Sequence, residues 1–199
     1  MHNIRSWFAV ALFSLTSIAY AVDFDTFTAN MRRHAVLGGD FVQEKTIAGF
    51  PKPLISNGRF TFCAGQGIEW NTLAPLASKT WLTSKAITIE NQFGQQSITN
   101  QTHPMIGVIG SLMMSLFTAD MTVLNQHFVT TLDSAPNGWR LGLVPQSSMA
   151  KTLFDSLTIS GSDYPQTIHI VEKTGDLTLI RFKAVGALKD VPEGLKHAR

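Results

Sequence analysis

Residues 38–70, GGDFVQEKTIAGFPKPLISNGRFTFCAGQGIEW, decide the fold class. Phe41 to Ile47 reads as a strand, and Gly49 to Pro53 is a loop rich in proline and glycine. Asn57-Gly58 is a tight-turn signal. Arg59 to Cys63 and Ile68 to Thr72 are two more apolar-alternating strands, joined by Ala64-Gly65-Gln66-Gly67. Short strands in close succession, with no helical pattern between them, predict an antiparallel meander.

The same rhythm continues on the C-terminal side, with strands expected at Lys79 to Thr83, Ala86 to Asn91 and Gln95 to Ile98. The period then changes. Pro104 opens a helix over Met105 to Phe117, where Ile106, Ile109, Leu112, Met113, Leu116 and Phe117 make an apolar stripe broad enough to be buried on most sides. Strands resume at Phe128 to Asp133 and, after the turn Asn137-Gly138, at Trp139 to Val144. Phe154 to Gly161, Thr167 to Glu172 and Leu177 to Val185 complete a set of 11, six before the helix and five after it. No βαβ alternation occurs, so the expected class is α+β, mainly β. A sheet this long curls, which predicts an incomplete antiparallel barrel with the central helix as its lid. On the N-terminal side, Asp23 can cap a helix running to about Arg33, with Phe24, Phe27 and Met31 on one face, ended by Gly38-Gly39. The tail from Gly186 to Arg199 is polar, carries Pro192 and reads as loose.

Composition narrows the function. Of 199 residues, 44% are hydrophobic and only 15% charged, below the roughly 25% usual for a soluble domain. The net charge of +2 supplies no basic footprint, so nucleic acid is not an expected partner. The single cysteine, Cys63, excludes an internal disulfide and any multi-cysteine metal site, and it reads as a buried inert thiol. Residues 1–21 read as a cleaved signal peptide: His2 and Arg5 precede the apolar run Trp7 to Ile18, and Ala19-Tyr20-Ala21 fits the cleavage rule. The remaining 22–199 are expected to form one domain, exported to the periplasm and monomeric.

No nucleophile elbow, zinc-protease helix, phosphate loop or paired-cysteine motif is present. The histidines show no metal spacing, so neither an enzyme, nor a metal, nor a cofactor is expected. The alternative is a binding protein. Alternation puts Phe60, Phe62, Ile68, Trp70, Ile87, Ile89, Leu141 and Leu143 on one face of the sheet, beneath Ile109, Met113 and Phe117 of the lid. These residues are the candidate lining of a hydrophobic cavity. Trp81 and Leu82 compete for the same role. Met105, Met113, Met114 and Met121 give the lid region polarisable side chains that suit a surface able to repack.

The run Gly39-Asp40-Phe41-Val42-Gln43-Glu44-Lys45 resembles the opening strand of the periplasmic lipoprotein carriers of the LolA type. Further likeness lies in Pro53 to Phe60, in Gly67-Ile68-Glu69-Trp70 with Pro75, in Trp139-Arg140-Leu141 with Leu143 and Pro145, and in the Gly175-Asp176 turn. The resemblance implies an incomplete barrel closed by helices. It also implies a shuttle that takes acylated lipoprotein or lipid cargo from an inner-membrane exporter to an outer-membrane acceptor. The alternative is a non-catalytic interaction subunit of an envelope lipid-export machine. One feature departs from the family pattern: the turn before the Trp70 strand, Cys63 to Gly67, lacks the arginine tied to lid closure in many such carriers.

Overall fold

The computed structural model describes residues 24–196; the expected signal peptide and the Asp23 cap lie outside them. The chain runs α1 (Phe24–Met31), β1 (Val36–Thr46), β2 (Leu54–Cys63), β3 (Gly67–Ala74), β4 (Ser78–Leu82), β5 (Ala86–Asn91) and β6 (Gly94–Thr99). Next come α2 (Pro104–Thr118), α3 (Met121–His127), β7 (Phe128–Ala135), β8 (Gly138–Pro145) and α4 (Ser148–Leu153). The chain closes with β9 (Phe154–Gly161), β10 (Pro165–Glu172), β11 (Leu177–Ala187) and α5 (Glu193–Lys196). All 11 strands form one sheet in the order β6-β5-β4-β3-β2-β1-β11-β10-β9-β8-β7, every neighbouring pair antiparallel. The sheet does not close: β6 and β7 remain edges, and the chain passes between them through α2 and α3.

Register puts the apolar parity of each strand on one face. Ile87, Leu82, Ile68, Phe62 and Leu37 pair in a row across β5 to β1. Ile180, Ile168, Ile159, Leu141 and Leu132 make a second row across β11 to β7. Both rows belong to a single core that also contains Phe27 and Met31 of α1 and Leu112, Leu116 and Phe117 of α2. A one-residue slip in any strand would turn its row to solvent, so this burial fixes the register.

Several local expectations change. Asn57-Gly58 is not a turn but lies within β2, at an irregularity in its pairing with β3. A Cβ at Gly58 would overlap the Asn71 carbonyl oxygen and press on the Phe41 ring, so close approach, not turning, requires glycine there. Gly38-Gly39 lies within β1 rather than ending a helix. Within the described residues the tail is not loose as far as Lys196: Leu195 of α5 is 1% exposed and packs with Val36 and Cys63 on the opposite face of the sheet, flanked by Trp81 and Val191. Leu188, Val191 and Leu195 are spaced three and four apart among polar residues and Pro192, too few to fix a buried face; the burial of Leu195 depends on its contact with Val36, Cys63 and Trp81. Leu195→Ala should cost about 2–3 kcal/mol, at the low end of core leucine truncations, because α5 is a single turn. A chemical-denaturation midpoint unchanged from the native protein would mean that the tail is undocked in solution.

Candidate functional site

Helix α2 contains no charged residue, and its C-terminal half enters the core. Ala119, in the left-handed conformation, ends it, and the Asp120 side chain then accepts hydrogen bonds from the N–H groups of Thr122 and Val123 to start α3. Phe117 stacks on Phe62 with centroids 5.1 Å apart and touches Phe60 at 5.5 Å and Phe182 at 5.8 Å. Trp70 lies 3.9 Å from Phe41, centroid to centroid, and is half-buried beside this cluster. The interior between sheet and lid is thus occupied by the protein's own aromatic rings.

The structure distributes the sequence-predicted lining unequally. Phe60, Phe62, Ile68, Phe117, Leu141 and Leu143 are buried in the shared core. Trp70, Ile87, Ile109 and Met113 are partly buried against it. Ile89 shares the inner parity but is 37% exposed. Between Trp81 and Leu82 the register decides: Leu82 pairs with Ile68 on the inner face. Trp81 lies on the outer one, donating to Glu69 Oε2 at 3.0 Å beneath Lys79.

An apolar groove of about 480 Å³ opens beside the N-terminal half of α2, lined by Ile98, His103, Met105, Ile106, Ile109 and Met149. Its walls are the edge strand β6, the lid and α4. Of the predicted lining only Ile109 reaches it. Ile106 belongs to the helical stripe and Met105 to the methionines of the lid region, but Ile98 and Met149 carry no signal in the sequence, because only folding brings β6 and α4 to α2. Its size falls within the ordinary range for small-molecule pockets, roughly 300–1,000 Å³.

The inner face changes character toward the β10–β11 turn. Lys45 Nζ meets Glu172 Oε1 at 2.7 Å and Asp176 Oδ2 at 3.5 Å, and the buried Thr178 hydroxyl donates to Glu172 at 3.2 Å. The hydrogen bond to Glu172, reinforced by both carboxylate charges, holds the Lys45 ammonium above its ordinary pKa against the opposing pull of burial. Cys63 is buried, and desolvation pushes its thiol up, which favours the neutral form. Among the described residues no group of three or more His, Cys, Asp or Glu is placed to hold a metal.

Residues 32–195 match the model of a protein family described as the outer membrane lipoprotein carrier protein LolA. The chain belongs to this LolA family. No curated protein sequence matches it. Among solved structures, a LolA superfamily protein from Nitrosomonas europaea is similar at 8% identity and a TM-score of 0.47, over 84% of this chain and 93% of that one. The Pseudomonas aeruginosa MucA/MucB complex matches at 10% identity and a TM-score of 0.47, over 84% of this chain. This LolA-family chain spans only 56% of the chain it matches there. LprF from Mycobacterium bovis matches at 11% identity and a TM-score of 0.40, over 86% of this chain and 95% of that one.

Proposed function

We propose that this LolA-family chain carries the acyl chains of lipoproteins, or of a related lipid, through the periplasm from the inner to the outer membrane. The observation that supports this reading is the apolar groove at the lid, with Ile109 at once lining it and packing on the core. Acyl chains would enter along Ile98, Met105 and Ile106. Deeper insertion would push aside Leu112, Leu116 and Phe117 and use the lining Phe60, Phe62, Ile68, Trp70, Ile87, Met113, Leu141 and Leu143. Each methylene removed from water contributes about 0.8 kcal/mol, so a host for two or three chains gains much from loading. The lid's own Phe117 ring lies among Phe60, Phe62 and Phe182 in that space when cargo is absent. Cargo must therefore compete with Phe117, which keeps net affinity moderate and permits release. No catalytic step is involved. An inner-membrane exporter would deliver the cargo and an outer-membrane acceptor would take it.

A second reading, a non-catalytic interaction subunit of an envelope export machine, is favoured by the filled aromatic interior. Native mass spectrometry separates the two. The protein is isolated without detergent and then offered a triacylated peptide. The carrier reading expects an acyl adduct that Ile109→Asp reduces at least about tenfold, because a carboxylate in an apolar groove loses hydration that methylenes cannot replace. Near-UV circular dichroism checks that the variant keeps its tertiary packing. A native protein that stays free of adduct overturns the carrier reading in favour of the second.

A further inference from the structure

Among the described residues, a single buried side-chain oxygen lacks a hydrogen-bond partner, Oε1 of Gln66. A buried acceptor without a donor is costly, so its surroundings indicate what should supply one. Gln66 lines a cavity of about 360 Å³ bounded by the β2–β3 turn, the β4–β5 connection and α5. This cavity shares no lining residue with the groove at α2.

The walls are fixed by the chain itself. Gln66 N–H donates to the Cys63 carbonyl at 3.0 Å, and Ala64 N–H donates to the Ala35 carbonyl at 2.8 Å. Gly65 closes that turn with a φ of +74°. In the β4–β5 connection, the Thr83 hydroxyl accepts from the N–H groups of Lys85 at 3.1 Å and Ala86 at 3.0 Å, and donates to the Ala86 carbonyl at 3.2 Å. Its one hydrogen is thus committed, and none is left for Gln66. Asn100 secures the same connection, donating through its N–H to the Lys85 carbonyl at 2.7 Å and through Nδ2 to the Ser84 carbonyl at 3.3 Å.

The lining is chemically selective. Lys85 is its single charged residue and forms no ion pair among the described residues. The carboxylates of the adjoining tail, Asp190 and Glu193, both act on Lys196, which Glu193 meets at 2.7 Å. Leu195 and Ala64 add apolar surface. A ligand that satisfies the whole lining brings an anion to Lys85, an N–H donor to Gln66 and a small apolar group to Leu195. Water supplies only the donor, and the cavity exceeds the roughly 30 Å³ of one water about tenfold.

We propose that this cavity binds the carboxyl end of a peptide. The terminal carboxylate would meet the Lys85 ammonium and the Ser84 hydroxyl, as a charge-assisted pair. The last peptide N–H would donate to Gln66 Oε1, and a small terminal side chain such as that of alanine would rest on Leu195. All three groups sit on one terminal residue, which is what the lining asks for. A free phosphate or a fatty acid brings the anion but no N–H. The volume is near the lower end of small-molecule pockets, roughly 300–1,000 Å³, so only the end of the peptide would enter. This site would stand if the groove at α2 took no cargo.

The test is titration of the full-length protein with N-acetyl-alanyl-alanine, followed by NMR of the backbone amides. Resonances of Gly65, Gln66 and Ser84 should shift saturably. Two analogues each remove one interaction. The C-terminal amide has no charge for Lys85 and should bind about tenfold more weakly. The depsipeptide N-acetyl-alanyl-lactate, whose ester oxygen replaces the last N–H, should also lose about tenfold. Lys85→Ala should weaken binding of the acid about tenfold and leave that of the amide unchanged, and Gln66→Leu should erase the preference for the acid over the depsipeptide. Lys85 is exposed, so its variant should keep the native Tm within about 2 °C. A native protein whose resonances do not move overturns the proposal and leaves the oxygen to water. Equal affinity for acid and amide, or native affinity in Lys85→Ala, overturns it as well.

Discussion

Phe117→Ala should lower the stability of the protein by about 3–5 kcal/mol, the usual range for removing a buried phenylalanine. For a chain of this size that is a fall in Tm of roughly 6–20 °C. The ring is 1% exposed and in contact with Phe60, Phe62 and Phe182, which come from two strands on either side of β1. Its loss therefore removes contacts between the lid and the centre of the sheet at once. The space left is apolar and should stay dry. Under the proposed function it should also accept cargo more readily, because the lid's own competitor is gone. A saturating fatty acid should raise the Tm of the variant more than that of the native protein, measured by differential scanning fluorimetry. A destabilisation below about 1 kcal/mol would show that α2 does not rest on this aromatic cluster in solution.

The second large effect concerns how α2 is seated. A side chain at Gly110 would overlap the Thr83 carbonyl oxygen and crowd Ser84, both in the backbone of the β4–β5 connection. Backbone cannot swing aside as a flexible side chain does, so Gly110→Val should lift the helix and cost about 3 kcal/mol, at the upper end of overpacking penalties. Gly107, one turn earlier, has only ordinary contacts for an added methyl, the nearest being Asn100 Cβ at 3.4 Å. Gly107→Ala should therefore stabilise the protein by about 0.5–1 kcal/mol through helix propensity, while Gly110→Ala should destabilise it despite the same intrinsic gain. Binding of the dye ANS should rise for Gly110→Val, reporting the uncovered inner face. Equal effects at the two glycines would mean that α2 is not pressed against the β4–β5 connection.

The order of elements was legible in the sequence because each strand carries its own alternation and each connection its own turn chemistry. Eleven strands, their inner-face parity and the central helix follow from local patterns in runs such as Phe60-Thr61-Phe62 and Leu141-Gly142-Leu143. Local pattern failed where the cause was spatial. Asn57-Gly58 looks like a turn, yet its glycine answers to the Asn71 backbone across the sheet. Leu195 looks like part of a loose tail, yet the hollow beside Trp81 and Cys63 buries it.

The same division holds for the candidate site. The apolar face and the uncharged lid are properties of the chain, since hydrophobic burial is non-directional and needs only the right residues at the right period. Whether that face is empty or filled depends on how Phe117 meets Phe62 and Phe182, residues separated by much of the chain. Where the groove opens depends on Ile98 of β6 and Met149 of α4 arriving at α2. Periodicity determined which side chains face inward; pairing across the sheet decided which of them meet.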